Sequence, residues 1–219
     1  MHEMRKSHIR LLGLPVAVFC VGFTIAAPAQ STGAAPAQSA PAQAAPAAQV
    51  PDWKSYSFST DGFSAVFPSE PVLQKKDVPT DAGSFQLRSY IAEVGQVALF
   101  VGVCDYGAAT EGKDPEDMLQ GAKDGALKNS NSHLISERKI ALGVYHGVAF
   151  ESESNVATDA AGKQPDNLAH FSARIYIVGS TLYQTLVVSP KDAPFPDGAR
   201  FLDSFQLITR VKSQDTVSK

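Results

Sequence analysis

The chain has 219 residues, a formal net charge of −3, 44% hydrophobic and 19% charged residues, and two cysteines. That length holds one packed domain with tails. The charge excludes a broadly basic protein held on nucleic acid by its overall charge, and the cysteine count excludes a disulfide-dense scaffold.

Arg5, Lys6 and Arg10 precede an apolar run from Leu11 to Ala27, and Ala27-Pro28-Ala29 supplies the small residues of a cleavage site. This layout predicts a secretory signal peptide over 1–29 and a periplasmic or secreted protein. The alternative is an uncleaved anchor that tethers the protein to the membrane through residues 11–27, a run shorter than the roughly 20 residues that span a bilayer. A lipid anchor on Cys20 would need a small residue before it, and Phe19 is bulky. Loss of 1–29 removes three cations (Arg5, Lys6, Arg10) and one anion (Glu3), so −3 becomes −5. Cys104 is then the only cysteine, and the domain must be held by its core rather than by a disulfide.

Residues 30–50 are almost entirely Ala, Pro, Gln and Ser, with Ala-Pro-Ala-Gln recurring at 35–38 and 40–43. Such a segment has nothing to bury and predicts a disordered, extended spacer. From Pro51 the composition changes. Trp53, Tyr56, Phe58, Phe63 and Phe67 follow closely, so 51–210 reads as a single domain and 211–219 as a polar tail.

Along the domain, Val97 to Cys104 is apolar on both faces, the mark of a covered central strand. Asp114, Pro115, Glu116 and Asp117 then announce a helix by cap, first-turn proline and acidic N-terminus. Met118, Leu119, Ala122 and Ala126 continue it at helical spacing. Strand-like runs at 133–142 and 144–153 flank Gly143, and runs at 168–178 and 181–189 flank Gly179-Ser180, which predicts two hairpins. In the second pair, Ala169, Phe171, Ala173, Ile175 and Ile177 share one face, and His170, Ser172, Arg174 and Tyr176 the other. A short helix over 197–203 leads to a last strand at 205–208. Together these predict an α+β fold, with a central, mostly antiparallel sheet and helices covering both faces in an α/β/α three-layer arrangement.

Chemistry-bearing patterns are sparse. Gly107-Ala-Ala-Thr-Glu-Gly112-Lys113 matches most of a phosphate-binding loop between a strand and a helix. Asp114 stands where the magnesium-binding hydroxyl belongs, and Glu111, Asp114, Glu116 and Asp117 surround the site with carboxylates, so nucleotide binding is not expected. His133, His146 and His170 lack zinc-like spacing. His146, on an apolar strand face, is expected to be a hydrogen-bonded core residue, and Cys104 a small core residue. Glu151 and Glu153 alternate on one strand and read as solvated carboxylates. A Ser-His-Asp site assembled in space is a further alternative that no local pattern supports. The remaining candidate is a contact face formed by His170, Arg174 and Tyr176. No cofactor and no metal site is expected.

Several segments resemble a known family. Trp53-Lys-Ser-Tyr-Ser-Phe-Ser-Thr-Asp-Gly62-Phe63, running into Phe67-Pro68-Ser-Glu-Pro71, resembles the opening aromatic strand, Gly-Phe hairpin and Phe-Pro-x-x-Pro corner of PsbP-like domains. Arg174-Ile-Tyr-Ile-Val-Gly-Ser-Thr-Leu-Tyr183 is similar to that family's paired long strands, and Phe201-Leu-Asp-Ser-Phe205-Gln-Leu to its closing helix and strand. The resemblance, which extends to bacterial envelope proteins of the DcrB-like kind, spans roughly 53–208. It implies a non-enzymatic accessory or binding protein with an envelope protein partner. It brings no catalytic residue with it. The Ala/Pro spacer departs from the DcrB-like pattern. A small-ligand or metal-ion binding module and a hydrolase with a convergent site are the other function classes.

Overall fold

The computed structural model describes residues 52–80, 83–155 and 168–210. The signal, anchor, spacer and tail expectations for 1–29, 11–27, 30–50 and 211–219 lie outside the described residues.

Strand β1 (Lys54–Phe58) turns at Asp61-Gly62 into β2 (Phe63–Phe67), and the chain bends over Pro68 before β3 (Val72–Thr80). β4 (Gly83–Val94) and β5 (Val97–Asp105) follow, then a 3-10 turn at Gly107–Thr110 and helix α1 (Pro115–Asn129). β6 (Ser132–Leu142), β7 (Tyr145–Ser154), β8 (Ala169–Val178) and β9 (Thr181–Pro190) complete the long strands. The short helix α2 (Gly198–Asp203) and β10 (Gln206–Leu207) close the domain.

Seven strands form one sheet in the order β3-β4-β5-β9-β8-β7-β6, every neighbour antiparallel. The two expected hairpins are its β6–β7 and β8–β9 pairs, turning at Gly143 and Gly179, both with positive φ. β5, apolar on both faces, is buried along all but its last residue. β3 and β4 were not anticipated from the sequence. β3 is an edge strand whose Lys75, Lys76 and Pro79 leave no hydrophobic run to read, and these residues also discourage pairing with another chain.

The expected α1 forms as its cap predicts. The Asp114 carboxylate accepts a 2.8 Å hydrogen bond from the Glu116 amide, and Pro115 occupies the first turn. Leu119 and Ala122 bury against the sheet face carrying Phe150, Ala173, Ile175 and Leu182. Lys123 is buried there too and forms an ion pair with Glu137 of β6.

The opposite sheet face differs from the expectation of helices on both sides. It is covered mainly by a second, three-stranded sheet, β1-β2-β10, with the six-residue α2 beside it. Phe63, Phe67, Phe201 and Phe205 fill the space between this cover and Tyr90, Leu99, Val101 and Tyr183. The last strand adds to β2, not to the central sheet, because Leu207 pairs with Phe63. A helix of two turns cannot shield seven strands, so an aromatic hairpin takes that role.

Candidate functional site

The small sheet covers one half of its face, around β4, β5 and β9. Over the stretches of β6, β7 and β8 that carry Arg138, Ala149 and His170 to Arg174 the same face stays open, and α2 overhangs it. The result is a groove of ≈ 450 Å³. Residues two apart on a strand project to the same side. β8 therefore sends His170, Ser172 and Arg174 into one wall-to-wall floor. The register extends that floor sideways: Ala149 and Arg138 lie beside Arg174, and Glu151 and Ser136 beside Ser172. Phe195, Ala199 and Leu202 make the apolar wall on the α2 side.

Most of this floor is tied down internally. Glu151 Oε2 accepts from Ser172 Oγ at 2.6 Å and lies 2.8 Å from His170 Nε2. His170 Nδ1 is 3.7 Å from Glu153, which pairs in turn with Lys191 at 2.8 Å. The hydrogen bond from Lys191 holds the Glu153 carboxyl below the usual carboxylate range, against the opposing effect of desolvation. Arg174 Nη1 donates to the Leu202 carbonyl at 3.1 Å, and its other terminal nitrogen pairs with Asp203. It thereby pins the C-terminal end of α2, where orphan carbonyls favour a cation.

The structure thus places His170 and Arg174 on the groove floor, while Tyr176, whose phenol interacts with Arg174, continues from it under the cover. Tyr176 shares their face yet is 4% exposed, with its ring stacked on Phe205 at 5.8 Å. It belongs to the core, where burial raises its phenol pKa. Its own neighbour on β7 is Gly147, where an added Cβ would meet the Tyr176 ring at 2.5 Å.

Other sequence candidates sit elsewhere. His146 is not a core residue: it stands exposed near the β6–β7 turn, 2.9 Å from Glu116 of α1, because the hairpin reaches beyond the apolar part of the helix. Cys104 is buried, as expected, and burial pushes its thiol pKa up. The loop resembling a phosphate cradle starts as a 3-10 turn whose Gly107 amide donates to the Asp105 carboxylate at 3.0 Å, so that amide already faces an anion.

One polar cluster went unread in the sequence. Asp61, 2% exposed, accepts from Arg88 Nε and Tyr90 Oη, each at 2.5 Å, while its backbone carbonyl accepts from Tyr183 Oη at 2.7 Å. Arg210 donates to Tyr183 at 3.0 Å and lies 3.4 Å from Asp105. The Asp-Gly pair signals a turn, but no local pattern reveals that its carboxylate is buried against a strand distant in sequence. Among the described residues no group of three His, Cys, Asp or Glu side chains is placed to hold a metal ion. No described helix is long and apolar enough to cross a membrane.

No protein-family model matches the chain, and no curated protein matches it by sequence. The chain is similar to the solution structure of cyanobacterial PsbP (CyanoP) from Synechocystis sp. PCC 6803, at 12% identity and a TM-score of 0.49, over 77% of this chain and 99% of that one. That neighbour carries the name of the family the sequence resembles.

Proposed function

We propose that this chain is an exported, non-enzymatic accessory protein of an envelope protein complex, and that the groove beside α2 is its contact surface. The observation that carries this reading is the groove itself. It joins an apolar wall to a polar floor, and its ≈ 450 Å³ falls within the size range of binding clefts. The side chains in it are arranged for holding rather than for reaction. Ser172 gives its hydrogen bond to Glu151 and not to His170, so the nucleophile–base contact of a hydrolase is missing from this cluster. The N-terminal signal and the spacer fit a domain released into, or tethered within, the envelope through residues 11–27.

The reading is tested by the native mass of the full chain, tagged at its C-terminus and gently extracted from its host's envelope. The wild type is expected to run in a complex. Ala199→Trp, at an exposed position of the wall, is expected to return it to monomer mass with an unchanged melting temperature. A wild-type monomer, or an Ala199→Trp protein that stays in the complex, overturns the proposal. The same groove volume supports a small-ligand module as the second reading, which a saturable rise in melting temperature on adding ligand would favour.

A further inference from the structure

Most basic side chains around strands β6 to β8 are engaged within the domain. Lys139 pairs with Glu116 at 2.6 Å, Lys123 with Glu137, Arg174 with Asp203, and His170 lies against Glu151. Of the two arginines that line the groove, Arg138 is the one left over: among the described residues its guanidinium has no ion pair or hydrogen bond, while Lys128 of α1 and Arg200 of α2, also without a carboxylate partner, do not line the groove. It projects to the groove side, since it pairs across the ladder with Ala149, itself opposite Arg174.

The register shows why Arg138 is left over. Glu151 is its diagonal neighbour on β7, within reach of a long side chain. That carboxylate turns the other way, towards β8, where Ser172 and His170 occupy it. A carboxylate that could have neutralised Arg138 is therefore committed elsewhere. An arginine with its planar fork of donors intact, at the rim of a groove with an apolar wall, is complementary to a carboxylate carried next to an apolar side chain.

We infer that the groove receives an acidic, extended peptide segment of a protein partner, with an Asp or Glu carboxylate on the Arg138 guanidinium and a neighbouring apolar side chain against Phe195 and Leu202. This rests on the groove being the contact surface and adds the chemistry of what enters it. Charge complementarity selects the occupant: of the groove's two arginines Arg174 is already paired with Asp203, and the His170 ring is held by Glu151, so one carboxylate, not a polyanion, matches the site.

The chain supplies its own reporter. Its single tryptophan, Trp53, stacks on Phe195 of the wall at 6.3 Å between ring centres. The full-length protein is titrated with the blocked peptide acetyl-Leu-Glu-Leu-Glu-Leu-amide, with its Gln counterpart, and with free glutarate, following tryptophan fluorescence and heat of binding. The acidic peptide is expected to bind at least about 10-fold more tightly than the Gln peptide, the scale of one charge-assisted contact. Arg138→Ala is expected to erase that difference, and Arg138→Glu to reverse it in favour of a Lys peptide. Both variants lie at an exposed position and should keep the wild-type melting temperature. Equal binding of the acidic and Gln peptides, an unchanged preference in Arg138→Ala, or no binding of either peptide overturns the inference. Glutarate binding as tightly as the acidic peptide overturns the peptide as occupant in favour of a free small acid. The Ala199→Trp native-mass result stands apart from all of these. If it removes the protein from its complex while the acidic peptide fails to bind, the groove remains the contact surface and only the carboxylate chemistry falls.

Discussion

Asp61 carries more of this domain's stability than its position in a turn suggests. A carboxylate 2% exposed survives only if its oxygens are satisfied, and Arg88 and Tyr90 each supply a 2.5 Å hydrogen bond. Gly62 beside it has φ +73°, and a Cβ there would come within 3.3 Å of the Tyr183 hydroxyl and 3.4 Å of the Ile208 carbonyl. The Asp-Gly pair therefore serves both turn shape and buried pairing. Asp61→Ala strands the Arg88 guanidinium, with a side chain 20% exposed, and leaves the Tyr90 hydroxyl without its acceptor. The expected loss is about 3 kcal/mol in urea unfolding, at the low end for breaking a buried ion pair. A loss below about 1 kcal/mol would mean that water takes over the role of the carboxylate.

At the scale of elements, α1 depends on local signals. Asp114→Ala removes one cap hydrogen bond and is expected to cost about 1 kcal/mol by the same measurement, leaving the peptide preference of the groove unchanged. The signals that make α1 vulnerable at this residue also made it legible: cap, proline and acidic first turn all lie within four consecutive residues. The β6–β7 and β8–β9 hairpins were readable for a similar reason, each turning at a glycine with positive φ between alternating runs. β3 and β4 were not, because β3 is charged and exposed along much of its length. The second sheet was hidden in another way. β10 contributes two residues, and their pairing with Ser64 and Phe63 is a relation between chain ends that no local window contains. In the groove, strand alternation placed His170 and Arg174 on one face correctly. It also put Tyr176 there, since period-two spacing gives the side of a sheet but not where its cover stops. Arg138 came into view only through the register of β6, β7 and β8, and Glu151, read in the sequence as a solvated carboxylate, is instead held on the groove floor by Ser172 and His170.

The whole molecule is built on two aromatic-rich layers, and its response to alkali follows from that. Burial raises the phenol pKa of Tyr90, Tyr106, Tyr176 and Tyr183, four of the chain's six tyrosines. In the unfolded chain these groups ionise near pH ~10. Their folded pKa is the higher one, so their contribution to stability is complete below that pH and is lost as the pH climbs above it. Phenolate absorbance from these four is expected to appear together with the loss of Trp53 fluorescence structure, as one cooperative event. A smooth rise of phenolate signal in a protein still folded would show that the aromatic layers admit hydroxide. The order of the small sheet has a mechanical meaning as well. β1 and β10 both run antiparallel to β2, so they are parallel to each other, and the chain arrives at Trp53 at one end of this sheet and departs past Leu207 at the other. Tension between the two termini would thus slide β1 and β10 lengthwise along β2. The β1–β2 hydrogen bonds would share that load at once instead of opening in sequence like a zip, and the domain would resist such a pull through the smaller of its two sheets.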